Sequence, residues 1–473
     1  MQELHANGIA HYRWGSQMVS LLGSATANGR MVVETLAQEI VGTFRWTRPR
    51  DVRAAISILH ELIHLQQDVS TGLGAWDHFQ TRESMPALVA ELRRHITEDS
   101  PLPYRETGEG IVPDDNDART DDLLRRIHQD TIGFRQLQGS QWNTPAVSAA
   151  LERCLGSEFA NAAAQGDFTL RQILEGEAAC HVTRFIVDAA VEQQTRSELD
   201  ASTSLWRIDE MPEVYGVALL EVMVAIANEA LTTELIVKLY DPAMLITPWL
   251  LDLAQAHPPP RFVERFDADA AMFDPVVRFL VLTKALNKMS GDDYETMIRS
   301  IIADDAPEAE RMLLQSSNFA YPPTHEIYTE WIADLDEAIA AQPWDMPLLQ
   351  MRRDAISHRL QSGRGKGITQ LVDAKTPLQM MVEGYGIEGI VVGVQFHDSV
   401  KGPLFRALIE RNIDLELFDL LVAGGTFRCP LARAHVCDGR TPRCSEGIVT
   451  LDQLPPTAVC QVRTGLQSWG YRI

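Results

Sequence analysis

No stretch of this chain stays apolar for long enough to cross a bilayer. The most apolar run, VYGVALLEVMVAIANEAL, is interrupted by Glu221 and Asn228. A span needs roughly 20 mostly apolar residues, so no membrane segment is expected. Positive charge is also scarce: 42 Lys and Arg face 65 Asp and Glu, for a net charge of −23. So acidic a surface repels nucleic acid and anionic lipid, and neither is expected as a partner. The first residues, MQELHANGIAHYRW, lack a basic region followed by an apolar run. No signal peptide is therefore expected, and the sequence reads as cytoplasmic. In that compartment the six cysteines should be reduced or metal-bound. Walker spacing and solenoid-length repeats are both missing, and SGRGKG at 362–367 reads as a flexible basic linker.

What remains is an ordinary globular composition, 45% hydrophobic and 23% charged over 473 residues. That is chain enough for two or three domains with real cores. Short β-like runs, MVVETL and IVGTFRW, lie within residues 8–50 and predict a small sheet. Helical spacing of apolar residues begins at Val52 and continues through Ala55, Ile56, Leu59, Leu62 and Ile63. Further helices are expected at 120–137, 145–155, from the Thr-x-x-Gln capping box at 169–172 to about residue 195, over 212–256 and across 261–360. GIVVGVQF at 389–396 is the strongest strand pattern. HPPP at 257–260 breaks the helical run. The expected fold is mainly α with a small N-terminal β portion. The expected domains are 1–257, a helical 261–361, and a mixed α/β region 368–473 that carries a cysteine cluster.

The residues with chemistry lie in ISILHELIHLQQD, residues 56–68. His60 and His64 are four apart and share one helix face, which lets two imidazoles bind one zinc ion. Glu61 lies about 100° further round, close to the face of His64. A carboxylate there can take a proton from a water that a metal has made acidic, and can then pass it to a leaving amine. Val52, Leu59, Leu62 and Ile63 mark the opposite, apolar side, while His60, His64, Gln67 and Asp68 fall together. A core histidine would sit among the leucines, and these do not.

LHELIHLQQD resembles the zinc-binding helix of zincin metallopeptidases, and its continuation resembles bacterial HELxHxxQD-type sequences of that kind. The spacing of Gly72 and His78 does not match the metzincin pattern. ILEGEAACH at 173–181 instead resembles the segment from which gluzincins take a glutamate ligand. The resemblance implies a zinc-dependent peptidase acting on a protein or peptide substrate. His60, His64 and a glutamate would bind the metal, with Glu61 as general base. Two alignments compete for the third ligand. The EGxA form selects Glu175 and leaves Glu177 and His181 as a pair that orients the ligands. The EAxxD form selects Glu177, with His181 in the place of the aspartate. Gly176 would let a neighbouring backbone approach closely.

Other features carry further expectations. Cys429, Cys437, Cys444 and Cys460 cluster near the end and could be a structural zinc site, unligated thiols or disulfides. Residues 426–473 hold six arginines against three acids, so a protein partner could dock there. Residues 99–122 hold eight acids, two arginines and three prolines, which predicts an exposed loop able to cover the site. Cys154 and Cys180 sit in apolar helical contexts and read as core, and His325 in THEIY reads as surface. An ExxH half-site of the ferritin-like kind is present at Glu61 and His64, but Glu177 and His181 are one residue too far apart to complete it. The competing reading is a non-proteolytic binding protein on a zincin scaffold that acts through its C-terminal modules.

Overall fold

The computed structural model describes residues 10–12, 19–21, 60–61, 63–79, 170–193, 213–228, 231–259, 274–303, 305–317, 322–341 and 346–362, with scattered positions between 407 and 468. These residues are mostly helical. Near the N-terminus, β1 (Ala10–Tyr12) and β2 (Val19–Leu21) pair antiparallel, with His11 opposite Ser20. MVVETL, IVGTFRW and GIVVGVQF lie outside the described residues, as do the acidic segment 99–122 and Cys154.

Helix α1 comprises residues 60–61 and 63–79 and bends at Thr71. The Thr71 hydroxyl accepts from Gly74 N at 3.0 Å, which caps the second half in the manner of an N-cap threonine. Glycine is required just after the bend. A Cβ on Gly72 would stand 2.2 Å from the His257 carbonyl oxygen, and one on Gly74 would stand 1.9 Å from that of Asp68. Leu73 N donates to Gln255 O at 2.8 Å, so the bend is seated on the residues that follow Ala254.

Helices α2 (Leu170–Gln193), α3 (Glu213–Ala227) and α4 (Thr233–Ala254) pack on one another. Asn228 ends α3 with φ 54°, a left-handed conformation that asparagine tolerates better than most residues. Thr232 caps α4 through Leu235 N. α5 (Pro275–Lys288) opens on Asp274, whose carboxylate accepts from Val276 N at 2.8 Å and Val277 N at 3.1 Å. α6 (Gly291–Ile302) packs on α7 (Ala306–Ser317), which in turn covers α5. One apolar core joins Leu73 of α1, Ile173 of α2, Val222 of α3, Leu250 of α4, Phe279 of α5 and Leu313 of α7. Helices on both sides of the HPPP break thus contribute to the same core.

A second cluster forms between α8 (Thr324–Ala341) and α9 (Met346–Ser362), where Tyr328, Trp331, Leu335 and Ile356 meet Ala75 and Ala256. Polar contacts tie α9 to α1. Arg352, fully buried, donates to the Asp68 carbonyl and, at 3.1 Å, to its Oδ1. Arg359 donates to Ser70 Oγ at 3.0 Å and pairs with Asp252 of α4. The side of α1 that carries Gln67 and Asp68 is therefore interior, although its residues are polar. A last helix, α10, runs Gln461–Ser468. No described helix is long and apolar enough to cross a membrane.

Candidate metal centre

Two helices far apart in sequence build the site. α1 contributes His60 and His64 from successive turns, and their rings meet edge to face with centroids 4.7 Å apart. α2 contributes Glu175. Its Oε2 lies 2.9 Å from His60 Nε2 and 3.3 Å from His64 Nε2, and the two Nε2 atoms are 3.1 Å apart. A tetrahedral ion held by bonds of about 2.0–2.1 Å would set its ligand atoms about 3.3–3.4 Å from one another. The observed triangle is close to one face of that tetrahedron, so the three donors can hold a metal ion. Among the described residues no other three His, Cys, Asp or Glu donors gather within 4.8 Å of one another.

Charge reinforces the arrangement. Burial works to lower the pKa of His64, but the Glu175 carboxylate, the hydrogen bond between them and the charge of Glu61 outweigh it and lift it to about 9. Burial works to raise the pKa of Glu175. The charge of His64 and hydrogen bonds with His60 and His64 carry it well below the usual carboxylate range. Arg171 Nε adds a cation 3.8 Å from Glu175 Oε1, one turn earlier on the same helix. Glu61 is itself buried. It enters the site through its charge on His64.

Glu177 meets a different set of groups. Its Oε2 accepts from Gln67 Nε2 at 2.7 Å and from Gln255 Nε2 at 2.5 Å, and its Oε1 lies 3.5 Å from His181 Nε2. That last separation is an ion-pair distance rather than a short hydrogen bond, and His181 Nε2 makes none. Burial opposes ionisation of Glu177, yet His181, Arg359 and Gln67 together lower its pKa. Gln67 also reaches His64: its Oε1 lies 2.8 Å from His64 Nδ1, while its Nε2 donates to Leu174 O at 3.0 Å. The structure therefore sets Glu175 against the two histidines and Glu177 against two glutamines.

Gln67 stands three residues after His64 on the same helix face, so its spacing was a visible signal for a contact with that ring. Gln255 gave none, since it comes from the end of α4. Cys180 is buried in the core, where burial and the charge of Glu177 push its thiol up to about 12, too high for a nucleophile. His325 opens α8 as an exposed residue.

In the C-terminal region none of Cys429, Cys437, Cys444 and Cys460 forms a disulfide among the described residues. Cys429 N donates to Cys444 O at 3.2 Å beside the Phe427–Ile448 bridge. Burial raises the Cys460 thiol pKa, with smaller contributions from Cys444 and Cys437.

Compared with known proteins, the chain matches no family model, no curated protein and no solved structure.

Proposed function

We propose that this chain is a zinc-dependent peptidase of the gluzincin kind, with a protein or peptide as substrate. The observation that carries the reading is the compact triangle of His60, His64 and Glu175 beside the buried Glu61. Two neutral imidazoles and one carboxylate form a donor set suited to zinc, and three protein ligands are what catalytic zinc sites use when a fourth position is kept for water or substrate. When bound, zinc supplies Lewis acidity, which polarises a carbonyl and makes water acidic near neutral pH.

The chain's own residues supply the rest. His60, His64 and Glu175 hold the ion. Glu61 follows His60 directly and is not part of the triangle, so it is free of ligand duty. It accepts the proton that the attacking water loses and delivers it to the leaving amine. Burial of the site keeps its dielectric low and strengthens each of these electrostatic contributions.

The test is Glu61→Gln assayed beside wild type for both zinc content and cleavage of a mixed peptide library. The variant should keep its zinc and lose cleavage by about 100-fold or more, since general base catalysis is worth about 10²–10⁴-fold. A wild-type protein that holds zinc and cleaves no peptide would overturn the peptidase reading in favour of a binding protein. Loss of zinc from Glu61→Gln would show that Glu61 is a ligand and not the base.

A further inference from the structure

The polar contacts behind His64 form a chain with a direction, and that direction bears on which ring nitrogen faces the metal. Gln67 is the central link. Its Nε2 carries two hydrogens and stands against two acceptors, Leu174 O at 3.0 Å and Glu177 Oε2 at 2.7 Å. Turning the amide round would set its oxygen against a carbonyl and a carboxylate, leaving three acceptors facing one another without a proton. The orientation is therefore fixed by its surroundings. Gln67 Oε1 then faces His64 Nδ1 at 2.8 Å. An amide oxygen only accepts, so the proton of that contact belongs to Nδ1. A neutral His64 ring consequently has its lone pair on Nε2, the atom 3.1 Å from His60 Nε2 and 3.3 Å from Glu175 Oε2.

Glu177 is held in turn. Gln255 Nε2 donates to the same Oε2 and to Leu251 O at 3.1 Å, which fixes that amide by the same reasoning. A carboxylate from α2 is thereby clamped between an amide of α1 and an amide from the end of α4. All three side chains are buried. Hydrogen bonds linked in series polarise one another at low dielectric, so the charge of Glu177 strengthens the acceptor that Gln67 turns towards His64.

We propose that Gln255, Glu177 and Gln67 act as a positioning relay that commits His64 to offering Nε2 to the metal, and that Glu177 works through this relay and not as a ligand. The proposal rests on the reading of His60, His64 and Glu175 as a metal site. Partners that accept the second N–H of a ligand imidazole fix the orientation of the ring and raise its basicity, and their loss costs about 10–100-fold in metal affinity.

The experiment measures zinc affinity of the full chain by competition with a chromophoric chelator, for wild type, Gln67→Leu, Glu177→Gln and the exchange variant Gln67→Glu/Glu177→Gln. Gln67→Leu should bind zinc about 10–100-fold more weakly. Glu177→Gln should weaken binding without abolishing it. The exchange variant keeps an acceptor at Nδ1 with unchanged net charge but sets a carboxylate oxygen against Leu174 O, so it should recover only part of the loss seen in Gln67→Leu. A readout that needs no variant accompanies these: long-range ¹H–¹⁵N spectra of zinc-loaded, histidine-labelled wild type should show the His64 proton on Nδ1. A proton on Nε2, or an affinity for Gln67→Leu within about twofold of wild type, would overturn the relay and leave the metal site standing. Wild type that binds no zinc would overturn both.

Discussion

His64 Nε2 lies 3.3 Å from Glu175 Oε2 across 111 residues of sequence. That pair joins α1 to α2, and with His60 it closes a triangle of donors around one point. Four consequences can be measured.

The first concerns metal content. His60→Ala and Glu175→Ala each remove a donor from a set of three and should release the tightly bound ion. Glu177→Ala leaves the triangle complete and should retain it with reduced affinity. Elemental analysis of the dialysed proteins checks this. Full zinc in Glu175→Ala with none in Glu177→Ala would transfer the ligand role to Glu177. Wild type should carry one zinc per chain, and a second ion that survives His60→Ala would belong to the C-terminal cysteines.

The second concerns protons. Without metal, Glu175 and Glu61 hold His64 charged up to about pH 9, while Glu175 is already ionised. A metal must displace the His64 proton, so each ion bound below that pH should release about one proton. Affinity should rise about tenfold per pH unit between pH 6 and 8 and flatten above about 9. Calorimetry in buffers of different ionisation enthalpy measures the proton count. A pH-independent affinity over this range would contradict the assignment.

The third concerns the buried pair of Arg352 and Asp68. Arg352→Met removes the guanidinium from a carboxylate that is 1% exposed and should destabilise the fold by about 3–5 kcal/mol. Asp68→Leu combined with Arg352→Met removes both charges and should cost markedly less. Denaturant midpoints for the single and double variants decide the matter. A single variant within about 0.5 kcal/mol of wild type would show that the pair does not secure α1, since changes that small are typical of surface positions.

The fourth is a pH effect on stability. Burial holds His257 neutral and lowers its pKa to about 3, although the Pro258 carbonyl bound to its Nδ1 works the other way. The folded pKa is depressed below the unfolded value of 6.5. This histidine's contribution is therefore fully present above pH 6.5 and is lost as pH falls towards 3. The slope approaches about 1.4 kcal/mol per pH unit for one proton. Unfolding by urea at pH 6.5 and 4.5 should show a smaller loss for His257→Asn than for wild type. Equal losses would remove His257 as the cause.

Much of the local structure was legible in order of residues alone. Thr232, Asp274 and Ser290 stand as side-chain caps where α4, α5 and α6 begin, and the predicted helix from 169 to about 195 corresponds to Leu170–Gln193. The pairing of His60 with His64 follows from helix pitch, because residues four apart must share a face. Glu61 and the glutamates of EGE were visible for the same reason: each is a short-range pattern whose geometry the backbone dictates. Gln67 obeyed the same rule, but nothing local says that an amide on a polar face turns inward.

Other choices needed the assembled fold. Glu175 and Glu177 are two residues apart and so point about 200° from one another round α2. Which of them meets the histidines depends on how α2 is rotated against α1, and both helices are packed into one core, α1 through Leu73 and α2 through Ile173, with Val222 and Leu250. Gln255 reaches Glu177 from 78 residues away, and Arg352 reaches Asp68 from 284. Pitch and capping act over one or two turns, so the order of residues determines them. The rotation of one helix against another is decided by interlocking side chains from distant segments, and only tertiary structure brings those together.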